Sequence, residues 1–205
     1  MKKKTLMVLA LLLSAAWAEA TLYPVGVIPD GNPVGAVFAG SVSGLGGSTV
    51  SGLTVDLTIT GGYNGDLYAY LIAPNGTLVV LMDQPGVGVN GFGAYGSGMS
   101  ITLQDGATDH GSIQGETGGT VLSGSYNARG SLSAINGSAA NGAWTLFFAD
   151  LGSGGGTAEL TGWSLNLTVV PEPVELALGL FAAMLLALAG LKRIWRPGQA
   201  HGKVG

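Results

Sequence analysis

The chain has 205 residues, of which 37 are glycine, none is cysteine and only 10% are charged. The missing thiols exclude a disulfide framework, thiolate zinc sites and a cysteine nucleophile. Between residues 21 and 170 a single cation, Arg129, faces nine carboxylates: Asp30, Asp56, Asp66, Asp83, Asp105, Asp109, Glu116, Asp150 and Glu159. A surface of that sign repels phosphate backbones, so nucleic acid is excluded as a partner.

Residues 1–20 read as a secretory signal peptide. Lys2, Lys3 and Lys4 form the charged start, an apolar stretch runs from Leu6 to Trp17, and Ala18, Glu19 and Ala20 supply the small-x-small site for signal peptidase. The mature chain is then expected to begin at Thr21. The apolar run is shorter than the roughly 20 residues a membrane span requires, which argues against an uncleaved anchor.

Residues 21–170 make one domain, long enough to bury roughly two thirds of its unfolded surface without covalent staples. Its pattern is that of strands, in which alternate side chains face opposite sides of a sheet. Leu53, Val55, Leu57 and Ile59 alternate with Thr54, Asp56, Thr58 and Thr60; Leu67, Ala69 and Leu71 alternate with Tyr68, Tyr70 and Ile72. Asn75-Gly76 predicts a two-residue hairpin leading into 77–82. Further strands fall at 99–104, 144–149 and 163–169, with weaker segments at 23–28 and 36–42. Residues 83–98 and 105–130 lack a strong period and read as long surface loops. The prediction is all-β: an antiparallel, jelly-roll-like sandwich of seven to eight strands with no amphipathic helix.

Three ordered blocks carry a family resemblance. Gly65-Asp66-Leu67-Tyr68-Ala69-Tyr70-Leu71-Ile72-Ala73-Pro74-Asn75-Gly76-Thr77 is followed by Ile101 to Ala107. The third block runs from Gly142-Ala143-Trp144-Thr145-Leu146 through Asp150 to Gly162-Trp163-Ser164-Leu165. Together they resemble the P domain, or Homo B domain, that follows the catalytic domain of kexin- and furin-type proprotein convertases and many bacterial subtilases. The resemblance implies a β-sandwich of about eight strands that supports a neighbouring Ser-His-Asp protease without performing catalysis itself.

The residues agree with a noncatalytic reading. Outside the last block the one histidine is His110, beside Asp109 in an expected loop, and such a pair is ordinarily a polar loop feature rather than part of a triad. Gly152-Ser153-Gly154 belongs to a glycine loop, not to a nucleophile elbow. A two-carboxylate glycosidase is disfavoured because carboxylates on the strands are few. No catalytic residue is assigned. Asp66, Asp105, Asp109 and Asp150 are the candidates for an oxygen-ligated calcium site, the one cofactor weighed; against it stands the simpler role of capping turns by accepting backbone amides. Trp144 and Trp163 are expected in the core. Tyr63, Tyr68, Tyr70, Phe92, Tyr95 and Tyr126 are divided between sheet packing and an exposed patch for sugar or protein.

After the domain come Pro171, Glu172 and Pro173, then 174–191, an apolar run that as a helix covers about 27 Å against a hydrocarbon thickness of about 30 Å. Lys192, Arg193 and Arg196 follow within a basic tail, 192–205, placed on the cytoplasmic side by its charge. The order Pro-Glu-Pro, apolar span, basic cluster resembles the PEP-CTERM sorting signal of Gram-negative bacteria. That resemblance implies recognition by an exosortase and delivery to the cell surface or extracellular matrix, often beside exopolysaccharide. The expected protein is thus exported, anchored by one transmembrane helix, and structural or binding in role. The alternatives are an accessory domain for a separately encoded subtilase and a calcium-dependent carbohydrate-binding module.

Overall fold

The computed structural model describes residues 16–18, 23–119 and 121–194. The chain divides into two compact units between Val170 and Pro171. The first carries ten strands among its described residues: β1 (Ala16–Ala18), β2 (Gly26–Ile28), β3 (Asn32–Val42), β4 (Thr49–Gly61), β5 (Leu67–Ile72), β6 (Leu78–Asp83), β7 (Met99–Gln104), β8 (Leu122–Asn127), β9 (Gly142–Asp150) and β10 (Ala158–Val170). One sheet runs β1-β10-β4-β7-β8, with β2 on the same edge of β10 as β1; the other runs β3-β9-β5-β6.

The period of two decides which faces meet. Leu53, Val55, Leu57 and Ile59 of β4 turn inward beside Trp163, Leu165, Leu167 and Val169 of β10. Leu67, Ala69 and Leu71 of β5 and Trp144, Leu146 and Phe148 of β9 come from the other sheet into the same core. Each of the larger side chains contributes about 1.5–3 kcal/mol by leaving water. Trp144 is fully buried and donates its indole N–H to the Ala140 carbonyl at 3.2 Å. Trp163, 6% exposed, donates to the Pro24 carbonyl at 2.9 Å and stacks on Tyr23 with ring centres 4.1 Å apart. Both tryptophans therefore lie in the core, as the alternation predicts.

Several expectations are corrected. The strands exceed the seven or eight predicted, and one pairing, β7 with β8, is parallel. β8 lies inside the expected 105–130 loop. Leu122 and Tyr126 are buried, but Gly124 stands between them at φ +96°, so the apolar alternation is interrupted at its centre. Residues 83–98 hold a short helix, α1 (Val87–Asn90). The Asn75-Gly76 hairpin is a wider connection. Gly76 donates to the Ala73 carbonyl at 2.9 Å, closing a turn with Pro74 and Asn75 at its centre, and only Gly76 of that pair takes a positive φ, +85°. Proline at the second position of the turn fixes this geometry. β1 falls within the expected signal peptide and pairs with β10 from Leu167 to Val169; the rest of 1–22, including Lys2 to Lys4 and Thr21, lies outside the described residues.

The second unit contains α2 (Pro173–Ile194), 22 residues and about 33 Å long at 1.5 Å per residue. Pro173 is the first residue of the helix, where a missing N–H breaks no bond. Leu178, Phe181, Met184, Leu185, Leu186 and Leu188 are all exposed. Among the described residues no helix is long and apolar enough to cross a membrane; the expected span 174–191 includes side chains outside that set. Arg196 and the rest of 195–205 also lie outside it.

The ring edge of Tyr23 packs against Gly40, and a Cβ on that glycine would overlap it. Gly40→Ala is expected to drive Tyr23 off Trp163 and cost about 2 kcal/mol. That is a melting midpoint lower by about 4–8 °C, with a changed near-ultraviolet dichroism of the tryptophan.

Candidate functional site

The four aspartates considered for calcium are not brought together. Asp105, at the end of β7, accepts from the amides of Leu132 and Ser133 at 2.9 and 2.8 Å and from the Ser131 hydroxyl at 2.8 Å, pinning the 3₁₀ turn Leu132–Ile135. Burial alone would raise its carboxyl, but these donors outweigh that and hold it below the usual carboxylate range. Asp109 accepts from the hydroxyl and amide of Ser125 at 2.8 and 3.2 Å, and the same two bonds, ahead of neighbouring His110, lower its carboxyl. Asp105 thus anchors a turn, and Asp109 ties its loop to β8.

Asp66 and Asp150 do meet, and Asp30, absent from the sequence-level candidates, joins them. Asp66 ends the 3₁₀ turn Asn64–Asp66 just before β5; Asp150 ends β9; Asp30 lies between β2 and β3. Strand pairing closes the group, since Asp150 is opposite both Leu67 and Asn32. Asp150 is 1% exposed and accepts from the Gly152 amide at 3.2 Å. Its carboxyl is raised, by burial first and then by Asp66 and Asp30, against the lowering effect of the Gly152 and Gly31 amides. That of Asp66 is raised by burial and by Asp30. Gly152 is required here for space, because the Asp66 carboxylate occupies the position its Cβ would take. Among the described residues no group of three or more histidine, aspartate or glutamate side chains is arranged to hold a metal ion. The sequence offered no signal for the role of Asp30, which depends on where β2 and β3 lie.

Asp66 also lines an open cleft of about 450 Å³ with Tyr63, Phe92, Tyr95, Ser153, Gly154 and Gly155. Two loops build it. Asn64 and Gly65 donate their amides to Gly96 and Ala94, holding the Tyr95 segment against the turn that carries Asp66. Asn90 accepts from the amides of Phe92 and Gly93 at 2.8 and 2.7 Å and donates to the Gly93 carbonyl at 3.0 Å, which fixes Phe92. Tyr63 and Tyr95 meet nearly at right angles, 79°, with ring centres 6.4 Å apart. Phe92 is 72% and Tyr95 53% exposed. Burial first, then the charges of Tyr95 and Asp66, raises the Tyr63 hydroxyl, so the ring stays neutral.

The remaining aromatic candidates are otherwise engaged. Tyr70 stacks on Phe147 at 4.6 Å and 11°, and Tyr68 meets both edge-on. Because Tyr70 and Phe147 spend one face on each other, they pack the outer side of their sheet rather than offer a flat platform to a sugar. Tyr126 is buried, stacks on His110 at 4.4 Å and donates to Glu116 at 3.2 Å. His110 is thereby turned onto Tyr126 while Asp109 holds Ser125 directly, so these three residues do not form an aspartate-histidine-serine relay.

The sequence profile of the family described as Proprotein convertase P-domain matches residues 50–167, from β4 to near the end of β10. No curated protein matches the chain. Two solved structures share 14% and 15% identity with it: the serine protease of Aeromonas sobria in complex with the chaperone ORF2, and the same protease alone. Each aligns with a TM-score of 0.44, over 77% and 76% of this chain. The chain spans 26% of the length of each, and a likeness so distant carries no role across.

The two kinds of aspartate predict opposite responses. Asp105 has a lowered carboxyl, so its stabilisation is full above the ordinary carboxylate value of about 3.9 and is lost as pH falls through its folded value. Asp105→Ala is expected to cost about 1–2 kcal/mol at pH 7 and progressively less in acid, read by thermal melts across pH. Asp66 and Asp150 have raised carboxyls, so they disfavour the folded state once pH climbs past those values. Asp30→Asn should therefore raise the melting midpoint at pH 7, by up to about 2 °C after allowance for solvent screening, and leave it unchanged below about pH 3.

Proposed function

This chain belongs to the proprotein convertase P-domain family, and from that premise we propose that it is a noncatalytic binding module of the bacterial cell envelope. The observation that carries the reading is the cleft at one end of the sandwich. Three aromatic side chains and a carboxylate converge on loops held by backbone bonds, and Phe92 and Tyr95 remain uncovered. Exposed aromatic rings on a fixed scaffold are the usual anchors of recognition. Asp109 is bonded to Ser125 of β8, and His110 is stacked on Tyr126.

The address belongs to the ends. We propose that 1–20 direct export, that 174–191 cross the membrane, and that Pro171, Glu172 and Pro173 with Lys192, Arg193 and Arg196 form an exosortase signal leading to the cell surface or matrix. The reading draws on the apolar run 174–191, whose described side chains between Ala177 and Ala189 are all apolar and exposed. Proline before it and lysine and arginine at its end suit a stalk and a cytoplasmic flank. A second reading, an accessory domain for a separately encoded subtilase, draws its support from the family itself.

Mass spectrometry of the surface-localised protein tests the address: the C-terminus is expected near Pro171, and an intact tail through Gly205 contradicts processing. The binding role is tested by surface retention of the mature form. Phe92→Ala with Tyr95→Ala should reduce retention several-fold at an unchanged melting midpoint. Unaltered retention refutes a role for the cleft, and recovery of a protease on the immobilised chain favours the second reading.

A further inference from the structure

The cleft described above also specifies the charge of what it takes. We propose that Tyr63, Phe92, Tyr95 and Asp66 form a receptor for an organic cation, the guanidinium group of an arginine side chain presented by a partner polypeptide. This inference rests on the binding-module reading and deepens it by naming the ligand chemistry.

Aromatic rings carry negative charge on their faces, and a cation within about 6 Å of a ring centre is attracted to it. Tyr63 and Tyr95, at 79° and 6.4 Å, form two walls of a corner, and Phe92 stands at the mouth with most of its surface free. An aromatic corner of this kind suits a large, weakly hydrated cation better than a compact, strongly hydrated one.

Asp66 supplies the counter-charge. Its half-buried carboxylate lines the cleft and accepts no hydrogen bond from the described residues, unlike Asp105 and Asp109, each of which is held by several donors. Behind it lie Asp150, buried, and Asp30, and each adds negative charge at the same end of the sandwich. Among the described residues no basic side chain answers them. Arg129, the only lysine or arginine between residues 21 and 170, is bound to Asp83 at 3.3 Å. The cluster is therefore an uncompensated negative site walled by aromatic rings, and a cation relieves the mutual repulsion that a neutral sugar would leave in place. A divalent metal is a poorer match, because no three acidic or histidine side chains here are arranged as ligands.

The test is calorimetry on the full chain in nonionic detergent. The probes are acetyl-Arg-Arg-amide, its neutral counterpart acetyl-Gln-Gln-amide, cellobiose and calcium chloride at constant ionic strength. The arginine peptide is expected to bind, and raising sodium chloride from 0.05 to 0.5 M should weaken it several-fold. Asp66→Asn should reduce affinity at least tenfold and Phe92→Ala about fivefold, with the melting midpoint of each variant not lowered. Several results overturn the inference: equal binding of the glutamine peptide, affinity untouched by Asp66→Asn, tighter binding of cellobiose, or stoichiometric displacement of the peptide by calcium. If no cation binds while Phe92→Ala with Tyr95→Ala still abolishes surface retention, the cation inference falls and the binding module stands. If retention is unaltered as well, both fall.

Discussion

The pairing of β4 with β10 governs the rest of the molecule. Each strand has 13 residues, and the two run antiparallel from Thr49 opposite Val170 to Gly61 opposite Ala158. Because the side-chain period is two, this register sets Leu53, Val55 and Leu57 with Leu167, Leu165 and Trp163 on the inward face, bulges at Leu160/Gly162 and Thr168/Val169 keep Ile59, Leu160, Val50 and Val169 on it, and a slip of one residue would turn them to solvent. The second sheet covers that stripe with Leu67, Ala69 and Leu71 of β5 and Trp144, Leu146 and Phe148 of β9.

What lies outside the core follows from that register. The outward face of the same strands carries a polar ladder: Asp56 accepts from the hydroxyls of Thr102 and Ser164 and the amide of Asn166, tying β7, β4 and β10 together on the solvent side. At one end of the sandwich, β9 delivers Asp150 to the level where β5 begins and β3 emerges, so Asp66 and Asp30 arrive beside it. Their repulsion disfavours the folded state. Unfavourable groups of this kind cluster at sites of recognition or chemistry, and the aromatic cleft beside this one is the site we propose for recognition.

The chemical division of labour is equally physical. Asp66 and Asp105 are next to glycine, Asp150 ends a strand and Asp109 lies in the loop after β7, and a reading by residue type treats all four alike. Their surroundings separate them. Amide and hydroxyl donors surround Asp105 and Asp109 and favour the charged form; burial and other carboxylates surround Asp66 and Asp150 and disfavour it. The aromatics divide in the same way. Tyr70 opposes Phe147 across a strand pair and stacks on it, whereas Tyr63 and Tyr95 meet only because two loops are bonded together.

The amino-acid sequence alone determined the strands with uninterrupted alternation, β4, β5, β7, β9 and β10, the inward placement of Trp144 and Trp163, and the sign of the surface charge. These are local or additive properties, set by a period of two or by composition. Only the tertiary structure decided the rest. β8 is a strand because β7 offers it a parallel edge, although Gly124 breaks its pattern. Gly76 closes a turn on Ala73 in place of an Asn-Gly hairpin because Pro74 sets the backbone before it. Asp30 joins Asp66 and Asp150, and Asp105 and Asp109 leave them, because distance through the fold rather than distance along the chain fixes which charges meet.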